Sequence, residues 1–193
     1  MSMQTFIYKI VIGGAGGVGK TTLLLRYLHG IFKTDTGMTI GVNFFNKDVN
    51  RPGACAKLAI WDLGGQERFR LFQPQYVLGA RAAIIFFDMA RLQTMGQIDE
   101  WLTLFRTSAS PSIPVLLCGT KHDLLSPDSI QNVNQEAMEI VEKHGFVHYY
   151  PTSAKNGLNV EAIFDHLVDL LLAQSFSQMV SRETMQSEEG RSG

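Results

Sequence analysis

Cysteine is scarce: only Cys55 and Cys118 occur in 193 residues. One lies beside a turn signal and the other in an apolar run. They read as reduced, structural thiols, not a disulfide framework or a metal cluster, in line with a cytosolic protein. Charge of one sign is also lacking, with 17 Lys plus Arg against 18 Asp plus Glu. That balance argues against wrapping nucleic acid or adhering to an acidic membrane, so any anion must be bound locally. No stretch approaches the roughly 20 apolar residues of a membrane span. The apolar run Phe6–Ile12 is broken by Lys9 and has no cleavage-type flank, so it is no signal peptide. The five histidines, His29, His122, His144, His148 and His166, show no metal-ligand spacing. No internal repeat is visible.

What is present is an alternation of apolar, β-branched runs with helical patterns. Strands are predicted at Phe6–Ile12, Ile40–Asp48, Ala56–Asp62, Ala82–Asp88, Val115–Thr120 and Val147–Tyr150. Arg51-Pro52-Gly53-Ala54 separates the second from the third. Pro then Gly at the central positions signals a type II turn, hence an antiparallel hairpin. The other strands are each followed by a helical segment, which argues for parallel βαβ units. Val160, Ile163, Phe164, Leu167, Leu170 and Leu171 form the apolar stripe of a last helix, with Asn159 placed as its N-cap. The expected architecture is α/β: a six-stranded, mostly parallel sheet with one antiparallel edge strand and helices on both faces. A hydrophobic content of 45% supports one domain over residues 1–173. From Gln174 the rhythm stops, and residues 174–193 read as a flexible polar tail.

Gly14-Ala15-Gly16-Gly17-Val18-Gly19-Lys20-Thr21 fits G-x-x-x-x-G-K-[ST] between a predicted strand and a predicted helix. Glycines let the backbone curl so that its N–H groups point at phosphate oxygens, and the helix N-terminus adds positive potential. Lys20 would reach the β- and γ-phosphates and the Thr21 hydroxyl would ligate Mg2+. Thr22 follows in the same first turn. The motif alone does not choose a base, nor does it separate a switch from a kinase or an ATPase.

Two later segments do choose. Thr120-Lys121-His122-Asp123 and Thr152-Ser153-Ala154-Lys155 follow in order, and with them the chain resembles the small GTPases of the Ras superfamily, whose base-reading motifs are [NT]-K-x-D and S-A-K. A carboxylate at Asp123 suits guanine, which offers two adjacent donors that adenine lacks. The resemblance implies that the Lys121 stem packs on the base and that the Ala154 N–H meets the guanine O6, with Ser153 and Lys155 beside it. Thr120 stands where Asn is commoner, as in Rho-type proteins; this touches the bracing of the loop, not base choice.

Thr39-Ile40-Gly41-Val42-Asn43-Phe44 and Trp61-Asp62-Leu63-Gly64-Gly65-Gln66-Glu67-Arg68-Phe69-Arg70 complete the resemblance, which covers about residues 5–173 and is closest to the Rab branch. It implies a P-loop NTPase fold and a GTP/GDP switch with Mg2+. Thr39 would ligate the metal and meet the γ-phosphate, Asp62 would hold Mg2+, and Phe32 would pack edge-on against guanine. Gly65 would donate its N–H to the γ-phosphate and Gln66 would orient the attacking water. Catalysis would thus rest on Gln66, Lys20 and Thr39. Gly64, where most Rab-like proteins carry Ala, is expected to loosen its segment. Arg68 and Arg70 are near the site in sequence but read as surface or structural groups.

Expected partners are an exchange factor, a GTPase-activating protein and effectors that read residues 33–43 and 63–76, with Phe44, Trp61 and Tyr76 as an aromatic triad. No nucleic acid is implied, and a monomer is expected. No cysteine follows Cys118 and residue two is Ser2, so no lipid anchor is expected in this sequence; a cytoplasmic protein, peripheral to membranes through partners, fits. The competing reading is a guanine-nucleotide module that never cycles.

Overall fold

The computed structural model describes residues 3–34, 36–66 and 71–189. Glu67, Arg68, Phe69 and Arg70 therefore lie outside the described residues, as do residues 190–193 of the expected tail. Six strands form one sheet: β1 (Gln4–Gly14), β2 (Val42–Arg51), β3 (Ala54–Leu63), β4 (Ala82–Asp88), β5 (Val115–Thr120) and β6 (His148–Pro151). Their order is β2-β3-β1-β4-β5-β6, and every pairing is parallel except β2–β3. The helices are α1 (Lys20–His29), α2 (Gln73–Val77), α3 (Ile98–Ser108), α4 (Pro127–His144) and α5 (Val160–Glu189).

Strand periodicity sets the two cores. Along β1, Tyr8, Ile10 and Ile12 face α1 and α5, while Val11 faces α2, α3 and α4. Tyr27 of α1 stacks on Phe164 of α5 at 3.8 Å between ring centroids. Covered on both faces, β4 and β5 are buried throughout, which is why they read as uninterrupted apolar runs. The β2–β3 hairpin closes as the sequence implies, with Arg51 paired to Ala54 and Gly53 at φ 76°. Arg51 then ties the hairpin to α5 through Asp165 (2.5 Å) and Asp169 (2.7 Å).

Two expectations about α5 are corrected. Asn159 is not a side-chain N-cap. It sits in the left-handed region at φ 55°, which Asn tolerates better than most residues, and its amide donates to the Pro151 carbonyl at 2.7 Å. Nor does the helix stop at Gln174: it continues to Glu189. Residues 174–189 contain neither Gly nor Pro, so nothing in them breaks a helix. The first turn past Gln174 also finds tertiary contacts, since Ser175 bonds Tyr8 at 2.8 Å and Phe176 meets the Phe6 ring edge-on at 5.3 Å. Among the described residues no helix is long and apolar enough to cross a membrane. Both cysteines are buried and unpaired, as expected.

The fold positions the site by strand ends. β1, β3, β4 and β5 terminate side by side at Gly14, Leu63, Asp88 and Thr120, and the C-terminal edge of such a sheet is where α/β proteins bind ligands.

Candidate functional site

At that edge opens a cavity of about 480 Å³, a size suited to a small-molecule ligand. The phosphate loop with the start of α1, residues 32–34 and 36–39, Gly65–Gln66, Thr120, Lys121, Asp123 and Leu124, and Ala154–Lys155 form its walls. Motifs far apart in sequence thus meet in one place. Gly14, Val18, Asp62 and Ser153 lie behind the wall, all buried, and support it.

The loop begins where β1 ends. Gly14 has φ 134°, and a Cβ there would lie 2.2 Å from the Phe86 carbonyl oxygen, so only glycine lets the chain turn this close to β4. At the other end of the loop Lys20 folds back, donating to the carbonyls of Gly14 (2.8 Å) and Ala15 (3.0 Å). Burial lowers its pKa to about 8, against the opposing pull of the Asp62 carboxylate. Thr120 braces the same loop. Its hydroxyl donates to the Val18 carbonyl at 2.5 Å, with the Phe87 carbonyl 3.0 Å away, so Thr120 ties the loop to the ends of β4 and β5.

Three side-chain oxygens converge beside Lys20. The Thr21 hydroxyl donates to Asp62 Oδ2 at 2.5 Å and lies 2.7 Å from the Thr39 hydroxyl, which is 3.5 Å from the same Oδ2. Asp62 is fully buried, and its Oδ1 has no hydrogen-bond partner. Burial raises its pKa, opposed first by the Thr21 hydroxyl and then by the Lys20 ammonium. An orphaned carboxylate oxygen beside two hydroxyls is a hard, all-oxygen donor set. It fits Mg2+, which takes one or two protein carboxylates and completes its shell with water and substrate phosphate.

Segments 36–41 and 62–66 are joined at Gly64. Its N–H donates to the Gly41 carbonyl at 2.7 Å, and its own carbonyl accepts from buried Gln73 at 3.0 Å. A Cβ on Gly64 would lie 2.8 Å from the Gly41 oxygen and 2.9 Å from the Thr39 oxygen. The expectation that Gly64 loosens its segment is thus reversed here: the missing methyl group lets the two segments close on each other. Gln66 stands at the cavity wall with Nε2 3.7 Å from Met38 Sδ, and the Thr22 and Thr36 hydroxyls, 2.9 Å apart, hold Thr36 to α1.

At the far end Asp123 Oδ1 accepts from the Ser153 hydroxyl at 2.5 Å, which fixes the plane of the carboxylate. Lys121 adopts φ 61°, a left-handed conformation uncommon for lysine, and its side chain turns back to Gly17. Phe32, Ala154 and Lys155 complete this end. Outside the cavity Phe44, paired with Trp61 across β2 and β3, meets its ring at 5.3 Å, and Trp61 meets Tyr76 at 6.0 Å. The three aromatics form one patch, in which Phe44 is exposed.

Three residues of this region were not singled out from sequence: Gln73, Arg91 and Asp88. Asp88 is fully buried and accepts from Arg91 Nε (2.7 Å) and Lys121 Nζ (2.8 Å) on one oxygen. The signal for it existed. An acid that ends an apolar strand, as Asp62 ends its own, stands at the ligand-facing edge of a parallel sheet.

Comparison with known proteins places this geometry in context. A model described as the Ras family matches residues 9–173. Ras-related protein Rab-4B of Homo sapiens is 39% identical over 159 residues, 82% of this chain and 73% of the relative. Ras-related protein Rab-30 of Homo sapiens is 37% identical over 177 residues, 91% and 86% of the two chains. Ras-related protein Rab-11A of Dictyostelium discoideum is 35% identical over 163 residues, 84% and 75%.

Proposed function

This chain belongs to the Ras family and is a small GTPase, and from that premise we propose that the cavity binds GTP and GDP with Mg2+ and that turnover there works a Rab-like switch in vesicle traffic. The observation that carries the reading is the convergence of the phosphate loop, the Thr21–Thr39–Asp62 oxygens, Gln66 and Asp123 on one cavity.

Each end of the cavity has its own task. Asp123 accepts the two adjacent donors of guanine, held in plane by Ser153, while Ala154 donates its N–H to O6. Phe32 and the Lys121 stem flank the base, and Thr120 keeps the loops together. At the other end the N–H groups of Gly16, Gly17, Val18, Gly19 and Lys20 surround the phosphates and the Lys20 ammonium meets the β- and γ-oxygens. Thr21, Thr39 and Asp62 would hold Mg2+, which neutralises charge on the phosphate oxygens. Gly65 donates to the γ-phosphate. Gln66 accepts from the attacking water through its carbonyl and donates through its amide to the charge that develops. Water displaces the γ-phosphoryl group from GDP, giving GDP and phosphate.

Residues 33–43 and 63–76 change with the nucleotide, and exchange factor, activating protein and effector read them there, with Phe44, Trp61 and Tyr76 as the aromatic contact. Gly16 and Gly17 leave room for a partner's arginine. The chain acts as a monomer in the cytoplasm, peripheral to membranes through its partners.

The test is the nucleotide itself. Purified protein, denatured and chromatographed, releases guanine nucleotide, and incubation with GTP and Mg2+ accumulates GDP. Adenine nucleotide would overturn the base assignment; GTP that persists, with or without cell extract, would mean a module that never cycles.

The lowered pKa of Lys20 gives a second expectation. Below pH 8 the ammonium is present before binding. Above pH 8 it is lost from the free protein, and phosphate must restore it, so binding takes up a proton. Affinity for GDP should therefore fall about ten-fold per pH unit above pH 8 until the bound form titrates too. Calorimetry at pH 9 in buffers of different ionisation enthalpy reads the proton directly, and zero uptake would contradict the assignment. In the nucleotide-free protein the same lowered pKa makes folding stability rise with pH, between about 8 and the ordinary lysine value near 10.5.

A further inference from the structure

We propose that Arg91, anchored by Asp88, is a positioning residue that aims the phosphate loop, a role that rests on the nucleotide site assigned above. Asp88 ends β4 with no exposed surface. Its own N–H donates to the Thr94 hydroxyl at 2.9 Å, and Oδ1 accepts from the Ala90 N–H at 3.0 Å. Oδ2 accepts from both Arg91 Nε at 2.7 Å and Lys121 Nζ at 2.8 Å. One rigid carboxylate therefore fixes two cations.

Each cation then holds a carbonyl of the phosphate loop. Arg91 Nη2 donates to the Gly16 carbonyl at 3.4 Å and Lys121 Nζ to the Gly17 carbonyl at 3.3 Å. Thr120 takes the next one, Val18, at 2.5 Å. Three consecutive carbonyls are thus drawn outward by three side chains. A trans peptide is planar, and its C=O and N–H point in opposite directions. Drawing out the carbonyls of Gly16, Gly17 and Val18 therefore turns the N–H groups of Gly17, Val18 and Gly19 the other way, toward the cavity. An anion nest needs that alignment. The Thr120 and Lys121 contacts come with the base-reading motif. The Arg91 contact does not: it comes from the turn that follows β4, and it controls the peptide between the two glycines, where the backbone is otherwise least constrained.

The test uses the full chain loaded with a fluorescent GDP analogue, in wild type, Arg91→Ala, Arg91→Lys and Asp88→Asn. One charge-assisted hydrogen bond and its orienting effect should be worth about a ten-fold faster release in Arg91→Ala. Arg91→Lys should fall between it and wild type. Amide NMR separates positioning from simple loss of stability: Arg91→Ala should shift the Gly17 amide and leave Val18, held through Lys121, nearly in place. Asp88→Asn should shift both. The Arg91 side chain is 42% exposed, so its variants should fold even if Asp88→Asn does not. Wild-type release from Arg91→Ala, or an unmoved Gly17 amide, overturns the proposal alone. Failure of wild type to hold guanine nucleotide overturns the site and the proposal together.

Discussion

Asp123→Asn should lose guanine nucleotide and gain xanthine nucleotide. The Ser153 hydroxyl donates to Asp123 Oδ1 at 2.5 Å. In the variant that hydroxyl keeps the amide oxygen as its acceptor, so the new NH2 takes the place of Oδ2. A donor then faces a donor of guanine. Losing one charge-assisted bond and leaving two buried donors opposed costs about 3–4 kcal/mol, or roughly 10²–10³ in affinity. Xanthine carries a carbonyl where guanine carries its amine, so it meets the new NH2 as an acceptor. Competition of labelled GDP by GTP and by XTP measures both sides. A variant that holds GTP as wild type does would show that Asp123 does not read the base.

Gln66→Leu should slow the chemical step and spare binding. Gln66 stands at the cavity wall, and its contact with Met38 Sδ, at 3.7 Å, is weak and exposed. Leu is similar in length, so the fold should not suffer. The phosphate and base contacts of Lys20, Thr21, Asp62 and Asp123 all remain, so the affinity for GTP should stay within a few-fold. What is lost is the acceptor for the attacking water and the donor to developing charge, interactions made mainly in the transition state. Removing one such preorganised group lowers the rate by about 10²-fold or more. Single-turnover hydrolysis of preloaded GTP, alone and with cell extract as a source of activating protein, is the measurement. Equal rates for variant and wild type under both conditions would assign the water to another group.

The sequence made the sheet legible because its central strands are covered on both faces. β4 and β5 begin and end where the apolar runs do. β2 was harder: Ile40 is apolar, yet the strand starts at Val42, because Gly41 at φ 76° turns the chain first. α5 outran its apolar stripe because residues 174–189 contain no helix breaker and Ser175 and Phe176 still pack on Tyr8 and Phe6. The site motifs were legible because phosphate loops and base loops are short and local. Arg91 was not, since it meets Gly16 across 75 positions of sequence and belongs to no short pattern. Gly64 shows the converse limit. Its identity was plain, but only the approach of the Gly41 and Thr39 carbonyls shows that the absent methyl group tightens the contact.

The cavity has walls of two kinds, and their difference bears on how a ligand leaves. One wall is backed by the end of the central sheet: Thr120 lines it, and behind it Asp62 and Asp88 sit fully buried at the ends of β3 and β4. The other is residues 31–34 and 36–40, which have no regular secondary structure and expose Ile31, Met38 and Ile40. Amide protons of the first wall should exchange with solvent only when the domain unfolds, while those of the second should be released by small local openings. The free energy of opening is therefore asymmetric around the ligand. For the nucleotide proposed above, the exit of lowest cost is therefore through the thin wall, and a partner that speeds release would need to act only there, leaving the sheet untouched.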